Sequence, residues 1–459
     1  METLQRTANR GSVSTGYNIT NSVKLEVDNN EWLYRNSPTA GNRKTFTLSL
    51  WLKRAVLGHK PAGDDEYIAG QGSDARYHFA GDTLRFMFES SSTELESSRV
   101  YRDPSAWYHI VLAVDTTQGT AADRVKFYIN GVQGAWSNTK YPDQDAEGDW
   151  MNTDDLYIGT KWASNDSGEG DNDLSGYLSE VVLLDGTAAS PTSFGEFDED
   201  SGIWKPIDVS DLTFGDEGFY LNFDNSSSLG ADSSGNSNTL TLSNIAAADQ
   251  ATDTPTNNFC ILSPLWAFTI GTAISEGGTK SVADASVSGW QPAKGSIAVN
   301  NGKWYWEYSG YTAVNTFIGV QNSDISLVYG SSYSVMLSAS DDLIYFNDPS
   351  NRNEAFSTTI ATTDVWAVAL NMDDGEISFY RNGSLENSAV ALDGLVGQGP
   401  FAPMVVQYST NTNMYLNFGG YTADTPSSAA SDANGYGAFE YAPPSGYYAI
   451  CTKNLARFG

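Results

Sequence analysis

Alternation of apolar and polar residues with a period of two runs along most of the chain. In "RKTFTLSLWLKRA" (residues 43–55), four apolar residues from Phe46 to Leu52 occupy every second position, as in a strand with one buried face. "WYHIVLAVDTT" (107–117) is more continuously apolar, and "DRVKFYINGVQ" (123–133) predicts a hairpin because Asn130-Gly131 suits a type I′ turn. The period of 3.6 typical of helices is confined to short pieces such as "PTSFGEF". The pattern therefore predicts an all-β protein.

Two short patterns occur twice in the same order. "VKFYINGV" (125–132) returns as "ISFYRNGS" (377–384), and "FYLNFD" (219–224) returns as "MYLNFG" (414–419). These echoes predict two related β-sandwiches. In each we expect an aromatic-rich hairpin, closed by Asn-Gly, at the centre of a sheet and a "YLNF" strand that closes the sandwich.

Changes of composition suggest the domain boundaries. Residues 1–22 are polar and predict an N-terminal arm that docks onto another protein, and residues 23–224 form the first predicted sandwich. Residues 225–263 are rich in Ser, Asn, Asp and Gly, which predicts an irregular connector. Residues 264–459 form the second predicted sandwich with a C-terminal extension. There Trp304, Trp306, Trp366 and Phe379 lie in strands and are expected in the core.

Composition and charge exclude several classes. The 459 residues carry a net charge of −31, which would repel nucleic-acid phosphates. No run of eighteen apolar residues could span a membrane, and the start "METLQRTANRG" has no apolar signal region, so we expect a cytoplasmic chain. Cys260 and Cys451 are too few for a disulfide framework. They flank the second module, so their pairing stays open, with reduced thiols favoured.

Several of these segments also resemble known families. "GKWYWEY", "DVWAVALNMDDGEISFYRNG" and "LNFGG", within residues 286–420, resemble the SPRY domain, a concanavalin-like binding module. "FTLSLWLKRA", "WYHIVLAVDTT" and "VKFYINGV", within residues 23–224, look like a laminin-G/pentraxin-type concanavalin-like domain. The resemblance implies two concanavalin-like antiparallel β-sandwiches, or jelly rolls, in tandem.

The combination resembles a particular class of virus proteins. Its joints, "LGADSSGNSNTLT" and "TDTPTNNFCILSPL", and its ending "APPSGYYAICTKNL" are similar to structural proteins of marine bacteriophages. This resemblance implies a tail-fibre-like or capsid-associated virion component. Phage particles assemble in the host cytoplasm, which agrees with the lack of a signal region.

A catalytic site is not expected. Only three histidines occur, and no nucleophile elbow, P-loop or zinc-protease motif is present. The E-x-D-x-x-E strand motif of laminarinase-type hydrolases is approached by "EFDEDS", with Glu196 and Asp198, but Ser201 stands in place of the second glutamate. The segment also reads as a loop. A glycan-degrading hydrolase therefore remains the second alternative.

Calcium is the one candidate cofactor, and none is required. In "DQDAEGDWMNTD" the spacing of Asp143, Asp145, Glu147 and Asp154 approximates a twelve-residue calcium loop. It departs from that pattern at Glu147 and at Asp154, which replaces the usual bidentate glutamate, and flanking helices are missing. A solvated acidic loop is the alternative, as it is for "NDSGEGDND" (165–173).

Aromatic residues in polar loops are the candidate glycan contacts, because rings can stack on the C–H faces of sugars while polar groups hold the hydroxyls. The candidates are Trp136, Tyr141, Trp150 and Trp162 in the first module and Trp290, Tyr329 and Tyr333 in the second.

Together these observations predict a non-enzymatic protein on the surface of a bacteriophage particle, as a fibre, spike or capsid decoration. Its expected partners are other virion proteins (capsid, portal or tail) and host-surface polysaccharide, with several copies on each particle. Nucleic-acid binding and membrane insertion are not expected. The first alternative is a purely architectural decoration protein without a host ligand.

Overall fold

A computed structural model describes most of the chain in two compact units. The described residues are 16–37, 39–57, 65–162, 173–267, 272–310, 316–323, 333–338, 343–346, 353–355, 361–387, 389–392, 397, 399–408 and 412–459, with no side chains for 266 and 267. The first unit ends at Thr256 and the second begins at Asn257. Each unit is a β-sandwich, so the all-β, two-sandwich prediction is confirmed.

The first unit consists of strands and short helical turns. Its strands are β1 (Ser22–Leu25), β2 (Trp32–Arg35), β3 (Thr45–Arg54), β4 (Asp65–Gln71), β5 (Ala75–Ala80), β6 (Thr83–Met87), β7 (Glu94–Val100), β8 (Tyr108–Asp115), β9 (Val125–Ile129), β10 (Val132–Gln133), β11 (Trp136–Thr139), β12 (Leu156–Ile158), β13 (Gly176–Asp185), β14 (Gly195–Phe197), β15 (Trp204–Pro206), β16 (Phe219–Leu221), β17 (Thr241–Ser243) and β18 (Gln250–Ala251). Its helices are α1 (Ala121–Arg124) and the 3₁₀ turns Val27–Asn29, Ser91–Thr93, Pro191–Ser193 and Ala247–Asp249.

Two antiparallel sheets enclose the first core. Sheet 1 has the order β10-β9-β8-β3-β13-β1-β18, with β16 beside β13, and sheet 2 has the order β11-β7-β6-β5-β4-β12-β2-β17. The alternating residues of β3, from Phe46 to Leu52, point into the core between the sheets. The opposite face of sheet 1 is buried as well, because Phe194, Val209 and Phe214 from the chain after β13 pack against it. Strands β8 and β13 therefore carry apolar residues on both faces, with Val111, Val182 and Leu184 on the outer one.

The predicted connector belongs largely to the first sandwich. β17 pairs with β2 and β18 pairs with β1, and Leu229 and Leu240 lie in the core. Asp232 organises the intervening loop, since its carboxylate accepts hydrogen bonds from the backbone N–H groups of Tyr220 and Asn238. The polar composition that suggested a linker supplies these side-chain-to-backbone bonds, and a few apolar residues anchor the segment.

The second unit is built in the same way. Its strands are β19 (Thr272–Ser275), β20 (Lys280–Ala283), β21 (Trp290–Lys294), β22 (Lys303–Ser309), β23 (Thr316–Asn322), β24 (Ser334–Ser338), β25 (Leu343–Phe346), β26 (Asn353–Ala355), β27 (Trp366–Asn371), β28 (Glu376–Arg381), β29 (Ser384–Leu385), β30 (Val390–Ala391), β31 (Phe401–Tyr408), β32 (Asn413–Asn417) and β33 (Tyr448–Ala449). Its helices are α2 (Pro264–Ala267) and α3 (Thr452–Phe458).

The second core also lies between two sheets. Sheet 3 has the order β19-β20-β32-β22-β27-β28-β29, with β30 beside β28 and β33 parallel to β22, and sheet 4 has the order β21-β31-β23-β24-β25-β26. The four core aromatics expected from the sequence, Trp304, Trp306, Trp366 and Phe379, all lie in this core. The C-terminal segment covers the outer face of sheet 3, where Phe439 and Cys451 pack against Tyr305.

The two "FYxNG" segments form similar hairpins, but the prediction that these hairpins lie at the centre of a sheet was wrong. Both hairpins, β9–β10 and β28–β29, lie at the edge of their sheet and not at its centre. Asn130 and Asn382 both have φ of 49°. Each exchanges two hydrogen bonds with the facing chain: Asn130 through its N–H and Oδ1 with His109, and Asn382 in the same way with Val365.

The "YLNF" strands do not close the sandwiches as predicted. β16 pairs with β13, beside β1. β32 instead lies between β20 and β22 in the interior of sheet 3. What the two copies share is local: the Oδ1 of Asn222 and of Asn417 accepts the N–H two residues ahead, an Asx turn.

The end of the N-terminal segment and both cysteines are buried in the structure. The end of the predicted N-terminal arm is anchored, because Ile19 is buried and its N–H donates to Thr256 Oγ1. Cys260 and Cys451 are both buried and unpaired with each other. In the described part of the chain, no helix is both long and apolar enough to cross a membrane.

Candidate functional site

Trp150 is a core residue, which corrects its prediction as a loop aromatic. Its side chain is 1% exposed, and its ring stacks near Phe46 and Phe86 with centroids 6.0 and 5.7 Å away. Its Nε1 donates to the carbonyl of Met87 at 2.8 Å. Together with Met151, Trp150 anchors this polar loop to the core, so its ring offers no surface to a glycan.

The other first-sandwich candidates differ in exposure. Trp136 is half-buried in β11, with its ring centroid 4.2 Å from that of Phe127 and its Nε1 bonded to the Val125 carbonyl. Tyr141 is also half-buried and packs against the core. Trp162, by contrast, is 48% exposed. Of the four candidates, Trp162 offers the most accessible ring.

The two described candidates of the second sandwich pack against different clusters. Trp290 is half-buried in β21, with ring centroids 4.8 Å from Phe317 and 5.1 Å from Tyr408. Tyr333 is half-buried and packs against the core. Tyr329 lies outside the described residues.

The predicted calcium loop is not assembled. Glu147 faces the side chains of Arg43 and Lys44 at 3.9 and 3.7 Å, while Asp154 Oδ2 accepts a hydrogen bond from Asn152. Over the ranges given above, which include all four predicted ligands, no three His, Cys, Asp or Glu side chains form a group that could hold a metal ion. Trp150, which lies between Glu147 and Asp154 in the sequence, is inserted into the core.

Of the two carboxylates of the hydrolase alternative, Glu196 lies in a short strand, whereas Asp198 lies just beyond it, in the connection predicted as a loop. Glu196 lies in β14 opposite Lys205 of β15, and Lys205 Nζ lies 3.3 Å from Glu196 and 3.2 Å from Asp198. Hydrogen bonds from Ser201 and the nearby Lys205 lower the pKa of Asp198 to about 2. A carboxyl held ionised in this way is a poor general acid.

A cluster that the sequence analysis missed lies on the outer face of sheet 2. Tyr77, Phe79, Leu84 and Phe86 point into the core, so the residues between them point to the opposite face. We call this cluster the Tyr67 face, and it comprises Asp65, Tyr67, Arg76, His78, Arg85 and Asp173.

Backbone pairing brings these side chains together. Tyr67 on β4 is opposite His78 on β5, which is opposite Arg85 on β6. The rings of Tyr67 and His78 have centroids 5.2 Å apart. Asp173 forms a backbone bridge with Tyr67, and the Tyr67 hydroxyl donates to Asp65 at 3.1 Å.

The Tyr67 face contains buried polar atoms without hydrogen-bond partners. These are His78 Nδ1, Asp173 Oδ2, Arg76 Nε and Arg85 Nε. His78 is 2% exposed and Asp173 is 5% exposed. Buried polar groups are nearly always paired in native proteins, so a cluster of unpaired ones indicates a place where a ligand or water completes the bonding.

Burial keeps the histidine of this face neutral. Desolvation, followed by Arg76, Arg85 and Lys161, lowers the pKa of His78 to about 3. Its Nε2 lies 3.7 Å from Asp65, but this approach is no ion pair at neutral pH because the imidazole carries no charge. Burial also raises the pKa of Asp173 to about 7, so this carboxyl can donate as well as accept.

Trp162 directly follows Lys161 in the sequence. Lys161 contacts the Tyr67 face, because its Nζ lies 5.0 Å from the ring centroid of Tyr67. The signal that could have revealed the face is the period of two in "ARYHFA" and "TLRFM", where Arg76, His78 and Arg85 alternate with core residues.

Comparison with known proteins supports the fold. Residues 27–192 match the family model described as the Concanavalin A-like lectin/glucanases superfamily. No curated protein matches the chain. Solved structures similar to parts of it include the SPRY domain of human HERC1 (17% identity, 32% of this chain and 91% of that chain, TM-score 0.26) and the PSpry domain of TRIM65 (12%, 35%, 89%, TM-score 0.29). A Bacteroides ovatus protein provisionally named as carbohydrate-binding has 16% identity over 50% of this chain and 60% of that chain, with a TM-score of 0.33.

Because such folds host many different activities, similarity of fold does not identify the function. The function is therefore inferred from the residues of this chain. The chain is an all-β protein of two antiparallel β-sandwiches, and residues 27–192, within the first sandwich, are similar to the Concanavalin A-like lectin/glucanases superfamily.

Proposed function

We propose that this chain is a non-catalytic, glycan-binding protein on the surface of a bacteriophage particle. One observation carries the binding role: the sandwich that matches lectins and glucanases has a face with unpaired, buried polar atoms. The exposed Trp162 directly follows Lys161, which contacts Tyr67 of that face. Hydroxyl groups of a sugar can pair with such atoms while a ring stacks on its C–H face.

The virion assignment rests on the resemblance of the joints and the C-terminus to marine phage structural proteins. In this proposal the chain assembles with capsid, portal or tail proteins in the host cytoplasm and is displayed in several copies on the particle surface. Weak individual contacts with host polysaccharide would then add up through avidity.

Binding without catalysis is proposed because the chemistry of the best carboxylate pair is unfavourable. Glu196 and Asp198 share the ammonium of Lys205, and hydrogen bonds from Ser201 and from this ammonium lower the pKa of Asp198 to about 2. A retaining glycosidase needs one protonated carboxyl to protonate the leaving group. Incubating the protein with laminarin and measuring reducing ends tests this part, since release of reducing sugar would establish the hydrolase alternative.

Adsorption of particles to host cells tests the binding role. We expect particles that carry Trp162→Ala to assemble normally and to adsorb less well than wild type. Phe197→Ala is the matched control, because Phe197 is an aromatic residue of similar exposure (49%) in the hairpin beside sheet 1. Equal adsorption of all three particles would contradict the adhesive role, and failure of assembly in Trp162→Ala alone would favour the architectural alternative.

A further inference from the structure

We propose that the ligand of the Tyr67 face is an uncharged saccharide and that polysaccharides bearing sulfate or carboxylate groups are rejected there. This inference rests on the proposed glycan-binding function and adds the class of glycan. Three features carry it: the kinds of unpaired atoms, the charges around them, and the exposed ring of Trp162, which follows Lys161 in the chain.

The unpaired atoms require a partner that both donates and accepts hydrogen bonds. Arg76 Nε and Arg85 Nε can only donate. Asp173 Oδ2 accepts when ionised and His78 Nδ1 does either, according to its tautomer. A hydroxyl has one donor and two acceptor sites, so the several hydroxyls of a saccharide that spans the strands can satisfy such a mixed set. Sulfate has only acceptors and would leave any accepting atom unpaired.

The charges around the face are unfavourable for an anion. The guanidinium of Arg85 is already approached by Glu94 at 3.5 Å and Glu96 at 3.4 Å, and that of Arg76 by Asp74 at 3.9 Å. Asp65 adds a further carboxylate beside His78, and the imidazole itself is neutral. An incoming anion would have to compete with these carboxylates, and the chain as a whole carries a net charge of −31.

The exposed ring of Trp162 suits an uncharged sugar ring. Trp162 is 48% exposed, and the preceding residue, Lys161, contacts the ring of Tyr67. Stacking on an indole depends on apolar C–H groups and on excluding water. A heavily sulfated ring loses part of this gain, because its charged groups hold their hydration water.

Binding of matched polysaccharides tests the inference with the full chain. The probes are laminarin, dextran, mannan and galactan, each compared with its own sulfated derivative by calorimetry in the same buffer. We expect at least one neutral polymer to bind and its sulfated form to bind at least ~10-fold more weakly. If a sulfated form binds as tightly as its neutral parent, the proposed class is wrong while glycan binding stands. If neither form of any probe binds, both the proposed class of glycan and the proposed glycan-binding function are contradicted.

Variants of the face then locate the binding. Asp173→Asn and His78→Phe should each reduce affinity for the neutral polymer roughly tenfold, and Trp162→Ala, at an exposed site, should do so without disturbing the fold. Arg76→Gln is compared with Arg102→Gln, which makes the same change of charge at a residue that is 61% exposed. Arg102→Gln should leave binding unchanged. Unaltered affinity in Trp162→Ala and Arg76→Gln would place the binding site elsewhere.

Discussion

Replacing Gly131 by alanine should destabilise the first sandwich strongly. Gly131 is the second residue of the Asn-Gly turn and has φ of 78°. A β-carbon built there would lie 2.8 Å from Cδ2 of Trp204 and closer still to its Cε3 and Cζ3 atoms. The ring cannot move freely, because Trp204 is only 8% exposed and its Nε1 donates to His109 Nδ1 at 2.9 Å.

The expected cost has three sources. An L-residue in the left-handed region costs roughly 1–2 kcal/mol, and forcing a side chain into a packed site costs about 1–3 kcal/mol. Shifting Trp204 also strains its hydrogen bond to buried His109, for which loss would cost about 1–3 kcal/mol. Because these effects are not additive, we expect about 3–5 kcal/mol in total.

Urea unfolding of the full chain measures this cost, with amide hydrogen exchange assigning the change to the first sandwich. Gly202→Ala is the matched control, because Gly202 has φ of 69° but no atom within 4 Å of its β-carbon position; it should lose only about 1–2 kcal/mol. In a Trp204→Ala background, Gly131→Ala should fall to the cost of this control. Equal losses in Gly131→Ala and Gly202→Ala would refute the steric argument.

Three further outcomes are expected. Burial raises the pKa of Glu180 from 4.5 to about 7, so the folded state holds this proton more tightly; the resulting stabilisation is complete below about pH 4.5 and is lost as pH rises toward 7. Melting temperatures measured from pH 5 to 8 should therefore fall less in Glu180→Gln than in wild type, and parallel profiles would count against this assignment. A chain ending at Asp224 should not give a folded first sandwich by circular dichroism, whereas one ending at Thr256 should, because β17, β18 and two core leucines lie between them; equal folding of both would show that the segment is dispensable. Millimolar calcium and EDTA should give the same melting temperature, and a calcium-dependent shift abolished by Asp143→Ala with Asp145→Ala would restore the predicted site.

The sequence predicted those features that depend on local periodicity. Alternation identified β3, and the Asn-Gly pairs identified both tight turns, because pleat and turn geometry restrict the residues at each position. The position of a strand within its sheet could not be predicted in this way. Whether β9 lies at an edge or at the centre depends on pairing between distant segments, and no local pattern records it.

The candidate site was predicted less well, for a related reason. Polar surroundings suggested that Trp150 is exposed, yet one side chain reaches the core from a polar loop. The spacing of Asp143 and Asp154 suggested a coordination sphere, which needs the chain to curl around one point. Sequence spacing does not record whether it does so, and in the described residues the carboxylates form no group that could hold a metal ion. Conversely, His78 and Asp173 are far apart in sequence, and each is brought to the same face by backbone pairing with Tyr67 of β4.

The pairing of β1 has a consequence for the synthesis of this chain. Its partners are β13 and β18, with Val23 opposite Leu178 and Ser22 opposite Ala251. At a translation rate of about 5–20 residues per second, roughly 10–45 s separate the appearance of Ser22 from that of Ala251. During that interval the nascent chain presents an unpaired edge of the kind that templates aggregation. Ribosome stalling before residue 251 should therefore leave a chaperone-dependent intermediate, and release after it should allow the first sandwich to close.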